Sequence, residues 1–189
     1  MIYLNDHIDD FDVPSALRCV SPQRLAHATR YRHEIDRRLS LAVYMLLCEA
    51  LRNEYGITEP PLFDFGPHGK PVLRNHPDIH FNLSHCRRAA LCVVSDRPVG
   101  CDIEDVPAEL DLDICRYCSN DVEIADILAS DNPPLEFFTR WTRKEAYLKR
   151  TGEGLTNHLS EILNTPQAAA ASFQTTYAPH IGCVYTICQ

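Results

Sequence analysis

Apolar positions recur at helical spacing across residues 36–53, where Leu39, Val43, Leu46, Leu47, Ala50 and Leu51 fall on one stripe. The spacing predicts an amphipathic helix with that stripe in the core, stopped by Gly56 after Tyr55. The period changes to two at residues 79–84, Ile-His-Phe-Asn-Leu-Ser, which predicts a half-buried strand. An apolar run at 91–94 predicts the next strand. Asp96-Arg97-Pro98 then predicts a turn into a further strand over 99–104, so that the two form a hairpin. Residues 63–73 read strand, turn, strand, with Gly69 and Pro71 shaping the turn. A short strand opens the chain at 1–4, followed by an acidic loop (Asp6, Asp9, Asp10, Asp12) to about residue 20. Ser21-Pro22 starts a helix to about residue 31, and Ser119-Asn120 caps another over 121–130. After Asn132-Pro133-Pro134, a helix runs from Leu135 to the glycines of Gly152-Glu153-Gly154-Leu155. Residues 173–177 and 182–188 predict two closing strands with Pro179 between them.

Composition narrows the class. The 189 residues are 45% hydrophobic and 23% charged, which is the balance of a soluble globular protein with room for one fair-sized core or two small ones. No apolar run is long enough to span a bilayer, and the first residues lack a signal-peptide pattern, so the expected compartment is the cytoplasm. The nine cysteines then read as reduced thiols, mostly core fillers. Cys115-x-x-Cys118 has zinc-knuckle spacing but lacks a second pair. A net charge of -8 argues against a general nucleic-acid surface. The charge is uneven, however. Residues 105–136 hold a single basic residue, Arg116, whereas 140–150 hold a single acid, Glu145, among Arg140, Arg143, Lys144, Lys149 and Arg150. Arg30, Arg32, Arg37 and Arg38 make a second basic cluster, suited either to solvent or to a polyanionic small molecule.

The candidate chemistry lies in two stretches. In the helix over 141–149, Trp141, Glu145 and Lys149 are spaced by four and share one face. Taken alone, Glu145 and Lys149 make an ordinary solvated pair. The chain has only three lysines, Lys70, Lys144 and Lys149, and a compact ammonium suits a phosphate oxygen as a point charge. In the strand over 98–104, Asp102 and Glu104 point to one side and Val99, Cys101 and Ile103 to the other. Two carboxylates on one face are either a solvated polar edge or a site for something positive between them. A hard cation such as Mg2+ takes a few carboxylates and completes its shell with water and phosphate oxygen, and Glu145 can supply a third carboxylate.

Gly100-Cys101-Asp102 followed by Trp141-Thr142-Arg143-Lys144-Glu145-Ala146-Tyr147-Leu148-Lys149 resembles the 4'-phosphopantetheinyl transferase superfamily. That family carries Gly-x-Asp, roughly forty residues, then Trp/Phe-Ser/Thr/Cys-x-Lys-Glu-Ala/Ser-x-x-Lys. A bipartite match with correct spacing is far more specific than one short motif. Gly69-Lys70-Pro71, Phe81-Asn82-Leu83-Ser84-His85 and Gly152-Glu153-Gly154-Leu155 are similar to further family segments. Cys101 stands where the family more often has Ile or Val.

The resemblance implies two similar α+β halves in a pseudo-twofold arrangement, here residues 1–98 and 99–189. It implies transfer of 4'-phosphopantetheine from coenzyme A to a serine of an acyl or peptidyl carrier protein, leaving adenosine 3',5'-bisphosphate. Asp102, Glu104 and Glu145 would hold Mg2+, and Lys149 would sit on the transferred phosphate or its leaving oxygen. Arg38, Lys70, Pro71, Ser84 and His85 would hold the nucleotide end. Glu145, Glu123 through water, or deprotonated Lys144 would accept the serine proton. The expected partners are coenzyme A and a carrier protein, with no nucleic acid and no membrane, and the expected state is a monomer. Two other readings use the same residues: a Mg-dependent nucleotide phosphohydrolase, and a non-catalytic module that binds coenzyme A or a carrier.

Overall fold

The computed structural model describes residues 1–154 and 159–189; Leu155 of the glycine-rich loop lies outside the described residues. In chain order the elements are β1 (Ile2–Asn5), α1 (Val13–Cys19), α2 (Pro22–Ala28), α3 (Glu34–Tyr55), β2 (Phe63–Phe65), β3 (Pro71–Leu73), β4 (His80–His85), β5 (Ala90–Ser95) and β6 (Gly100–Asp105). There follow α4 (Leu112–Cys118), α5 (Asp121–Ala129), α6 (Pro133–Thr151), a 3-10 helix (Leu159–Asn164), α7 (Pro166–Ala169), β7 (Phe173–Ala178) and β8 (Cys183–Cys188).

The strands form an N-terminal sheet in the order β1-β5-β4, a β2-β3 ribbon, and a C-terminal sheet in the order β6-β8-β7. All pairings are antiparallel. The two larger sheets repeat one connectivity. A strand is followed by a long helix and then two strands, the second of which lies between the other two. Helix α3 plays that part in the first unit and α6 in the second. The architecture is thus α+β.

Each long helix buries its stripe on its own sheet. Leu39, Val43, Leu46, Leu47, Ala50 and Leu51 of α3 pack with Phe81, Cys92 and Val94. Full burial of a Leu contributes about 1.5–3 kcal/mol, so this stripe is a main source of stability. In the second unit Phe137, Ala146, Tyr147 and Leu148 of α6 pack with Cys115, Cys118, Ile127 and Cys188. A third cluster joins the sheets: Leu91 and Val93 from β5 meet Val99, Cys101, Ile103, Cys183 and Ile187. The alternation of β6 therefore resolves as expected, with its apolar side in the seam between sheets.

Two expectations are corrected. The loop to residue 20 contains α1, started by Asp12, whose carboxylate accepts from the Ser15 amide, with a proline in its first turn. Strands β5 and β6 do not form a hairpin. The turn at 96–98 carries the chain out of the N-terminal sheet, and β6 pairs with β8 in the other one. What holds β4 and β6 together is side chains rather than a ladder. Asn82 Oδ1 accepts from the Cys101 amide at 2.8 Å, and Ser84 Oγ accepts from the Ile103 amide at 3.4 Å. Successive inward positions of β4 thus satisfy alternate amides of β6, which would otherwise be buried without partners.

Gly100 follows from the same packing. A Cβ there would overlap the Ala146 carbonyl oxygen and the Arg150 amide, and lie 2.9 Å from Arg150 Cα. Only glycine lets α6 lie this close on β6, and the approach brings Lys149 and Glu145 over Asp102.

Candidate active site

Strand β6 and helix α6 position the central groups. Asp102 is 3% exposed, a burial that demands partners. Its Oδ1 accepts from Lys149 Nζ at 2.6 Å and from Ser84 Oγ at 2.8 Å. Lys149 Nζ also reaches Ser84 Oγ at 3.2 Å. Glu104 accepts from the Trp141 indole N–H at 3.0 Å, and Trp141 stacks on Phe137. Trp141 therefore anchors both the helix face and a carboxylate 37 residues away in the chain. That link is absent from the sequence reading.

The electrostatics of the cluster favour positive charge beside the carboxylates. Burial, then the neighbouring Asp102, pushes the Glu104 carboxyl up to about 7. Burial also raises Glu145, against the pull of Lys149. Burial draws the Lys149 ammonium down, but Asp102 beside it outweighs this and holds it above its ordinary value. Asp102 Oδ2 and Glu145 Oε1 are buried with no hydrogen-bond partner among the described residues. Three carboxylates face one ammonium, and two of their oxygens are unpartnered. This donor set fits a hard cation with oxygen ligands. Asp102, Glu104 and Glu145 do not bring three oxygens within 4.8 Å of one another, and Lys149 supplies positive charge beside Asp102.

A cleft of about 340 Å3 opens beside these groups, walled by Glu145, Lys149, Lys70, Pro71, Leu83, Gly152 and Gly154. His68, from the β2-β3 turn, also lines it and was not singled out in the sequence. Its signal was its place one residue before Gly69-Lys70-Pro71. Lys70 projects across the cleft wall and donates to the Arg150 carbonyl at 2.9 Å and the Val99 carbonyl at 3.3 Å. It thus ties the ribbon to the C-terminal end of α6, and its pKa is lowered by burial.

The other expected residues are spread more widely. His85 ends β4; its ring keeps solvent contact, yet the protein crowding it, and then Lys149, lower its pKa. Arg38 is engaged at the start of α3 by Glu34 at 3.1 Å and by the Asp9 carbonyl at 3.2 Å. Lys144 is 1% exposed and turned away from the carboxylates toward α4 and α5. It donates to Glu123 Oε2 at 2.7 Å and to the Cys118 carbonyl at 2.8 Å. Glu123 also closes a capping box with Asn120 at the start of α5. It lines a different cavity, of about 780 Å3, with Arg140 and Arg143. That larger cavity holds none of the β6 carboxylates. The structure therefore joins Asp102, Glu104, Glu145, Lys149 and Ser84 in one cluster and sets Lys144 and Glu123 apart as an ion pair between a buried ammonium and a part-buried carboxylate.

Residues 98–186 match the family model described as 4'-phosphopantetheinyl transferase superfamily. A 4'-phosphopantetheinyl transferase from Bacillus subtilis is 30% identical over 158 residues, covering 82% of this chain and 70% of the relative. The chain belongs to the 4'-phosphopantetheinyl transferase superfamily. Other members are similar too. The 4'-phosphopantetheinyl transferase psf-1 of Bacillus pumilus is 38% identical over 147 residues, 76% of this chain and 62% of the relative. Sfp of Bacillus subtilis (strain 168) is 27% identical over 157 residues, 82% of this chain and 70% of the relative. The chain thus spans somewhat under two thirds of psf-1 and somewhat over two thirds of the two Bacillus subtilis proteins. The superfamily match contains both β6 and α6, the two elements that build the carboxylate cluster. Among the described residues no helix is long and apolar enough to cross a membrane.

Proposed function

We propose that this protein transfers the 4'-phosphopantetheine group from coenzyme A to a serine hydroxyl of an acyl or peptidyl carrier protein. The observation that carries the reading is the part-buried Lys149–Asp102 contact between α6 and β6, next to a cleft that Glu145 and Lys149 line. In the transfer, the serine oxygen bonds to the phosphorus bearing pantetheine. The bond from that phosphorus to the pyrophosphate bridge oxygen breaks, and adenosine 3',5'-bisphosphate leaves. Asp102, Glu104 and Glu145 would hold Mg2+, which when bound neutralises charge on pyrophosphate oxygens.

The chain's own residues divide the remaining work. Glu145 has two carboxylate oxygens to divide between the cation and the serine proton, and it is the candidate base nearest the cation, since Lys144 is engaged by Glu123. Lys149, kept charged by Asp102, faces the phosphate oxygens. Ser84 orients Asp102 and Lys149 rather than reacting itself. Pro71, His85 and Arg38 bound the nucleotide end. Lys70 acts there chiefly by fixing the cleft wall against α6. Lys144 and Glu123 hold α6 at its distance from α5. The working state is a monomer in the cytoplasm, and the N-terminal half, 1–98, and C-terminal half, 99–189, divide nucleotide contacts from transfer chemistry.

Release of adenosine 3',5'-bisphosphate from coenzyme A, followed by chromatography with and without apo carrier, tests this. Release that requires the carrier, and that falls by about 100-fold or more in Glu145→Gln with the circular dichroism unchanged, is expected. Equal release without a carrier would make the protein a phosphohydrolase.

A further inference from the structure

A second set of ligating groups lies at the far end of the seam between the sheets. Cys86 follows β4, Asp105 ends β6, and Cys183 begins β8 directly opposite Asp105 in the ladder. The two Sγ atoms are 3.5 Å apart, and Cys183 Sγ is 3.4 Å from Asp105 Oδ1. One atom from each residue lies within 4.8 Å of the others, and no other set among the described residues does this.

These spacings can be compared with tetrahedral zinc. Bond lengths of about 2.3 Å to sulfur and 2.0 Å to oxygen give edges of about 3.8 Å between two sulfurs and about 3.5 Å between sulfur and oxygen. The two edges that meet at Cys183 fall within a few tenths of an ångström of those values, and the third edge is within 4.8 Å. The carboxylate is oriented from behind: its Oδ2 accepts from the Arg87 amide at 3.0 Å, as outer contacts to metal ligands commonly do. Arg88 Nε is 3.7 Å from Oδ1, an exposed pair that a cation can displace. Both thiols are buried, whereas the Asp105 side chain is 31% exposed, which leaves an entry path and a fourth position on that side. The softness of the set differs from that of the cleft. Two sulfurs select zinc-like cations, and three carboxylates select magnesium-like ones.

We propose that Cys86, Asp105 and Cys183 form a binding site for a thiophilic divalent cation of the zinc type, completed by water. Binding releases the thiol protons to solvent. Cys86 belongs to the N-terminal sheet, and Asp105 and Cys183 to the C-terminal one, so a bound ion cross-links the two sheets and stabilises the fold by mass action. Asp105 and its neighbour Glu104 point to opposite faces of β6, which separates this site from the carboxylate cluster. Nothing in it depends on the transferase reading.

The test is Co2+ titration of the reduced full chain, followed by absorbance and then by Zn2+ displacement. One equivalent should give the thiolate charge-transfer band and the strong visible bands of tetrahedral Co2+. Cys86→Ser and Cys183→Ser should each weaken binding by more than about 100-fold, the upper end of what losing an outer contact costs. Asp105→Asn, the gentler change, should weaken it by about 10-fold or more. Cys115→Ser and Glu145→Gln should keep the signal. Saturating Zn2+ should raise the melting temperature by at least about 3 °C in the parent and not in Cys183→Ser. Folded parent protein with no tetrahedral signal overturns the proposal. So does a signal undiminished in both cysteine variants, or a Cys86–Cys183 disulfide that persists under reductant.

Discussion

Replacing Glu104 by Gln isolates the electrostatic tension of the carboxylate cluster. The amide keeps the size of the side chain and an oxygen for the Trp141 indole, so the main change is removal of one ionisable carboxyl. Folding raises that carboxyl from 4.5 to about 7, first by burial and then by Asp102. The sign follows from linkage. Below pH 4.5 the group is neutral in both states and costs nothing. As pH rises from 4.5 to 7 the unfolded chain ionises first, and the parent loses stability. Above pH 7 the folded state bears the whole cost, about 3 kcal/mol. Glu104→Gln should therefore be more stable than the parent by about 3 kcal/mol at pH 8, and by less than about 1 kcal/mol at pH 5. Urea denaturation in EDTA, read by Trp141 fluorescence and circular dichroism at both pH values, measures this. Saturating Mg2+ should shrink or reverse the pH 8 difference, because a bound cation rewards the charged form. A Gln variant no more stable than the parent at pH 8 in EDTA refutes the reasoning, as does a gain equal at both pH values.

Other predictions bear on the packing around the cleft. Gly100→Ala forces β6 from α6 and should cost about 3 kcal/mol or more, with loss of transfer activity; a melting temperature unchanged by the alanine would contradict the close approach. Lys144→Met removes the charged partner of Glu123 and should cost about 1.5–3 kcal/mol, while Lys144→Met with Glu123→Leu should recover part of it; a double-mutant cycle with no coupling would return Lys144 to the candidate bases. Lys70→Met should lower stability by about 1 kcal/mol as well as weaken coenzyme A binding, since its ammonium serves two carbonyls; weaker binding at full stability would favour a direct phosphate contact. His85 should titrate below 6.5 in the free protein by NMR and move upward on adding coenzyme A, because a phosphate nearby favours the charged ring. Folding lowers its pKa, so protonating it below pH 6.5 works against the fold.

The parts legible in the sequence were those governed by local pattern. The α3 stripe, the alternation of β4 and the caps at Ser21 and Asn120 depend on neighbours a few residues away, and each appears where the spacing places it. Helix α1 escaped notice because its Asp-x-Pro start sits in an acidic run with too few apolar residues to show a period. The β5-β6 error has another cause. A turn shows where a chain reverses, not which sheet edge its exit strand will join, and the partner of β6 lies some eighty residues further on. The site divides in the same way. Asp102 and Glu104 share a side because strands alternate, and Glu145 and Lys149 share a face because helices turn. By contrast, the Lys144–Glu123 pair, the Trp141–Glu104 bond and the Lys70 contacts join residues 21 to 80 positions apart. Residue type marked these lysines as phosphate ligands; only packing shows which ammonium is already engaged.

Whether this cleft moves 4'-phosphopantetheine onto a carrier is decided by the intact mass of an apo carrier protein after incubation with this protein, coenzyme A and Mg2+, with and without EDTA. A gain of one phosphopantetheine group per carrier, abolished by EDTA, is expected. No gain on fatty-acid, polyketide or peptidyl carriers, with coenzyme A still bound, would contradict it.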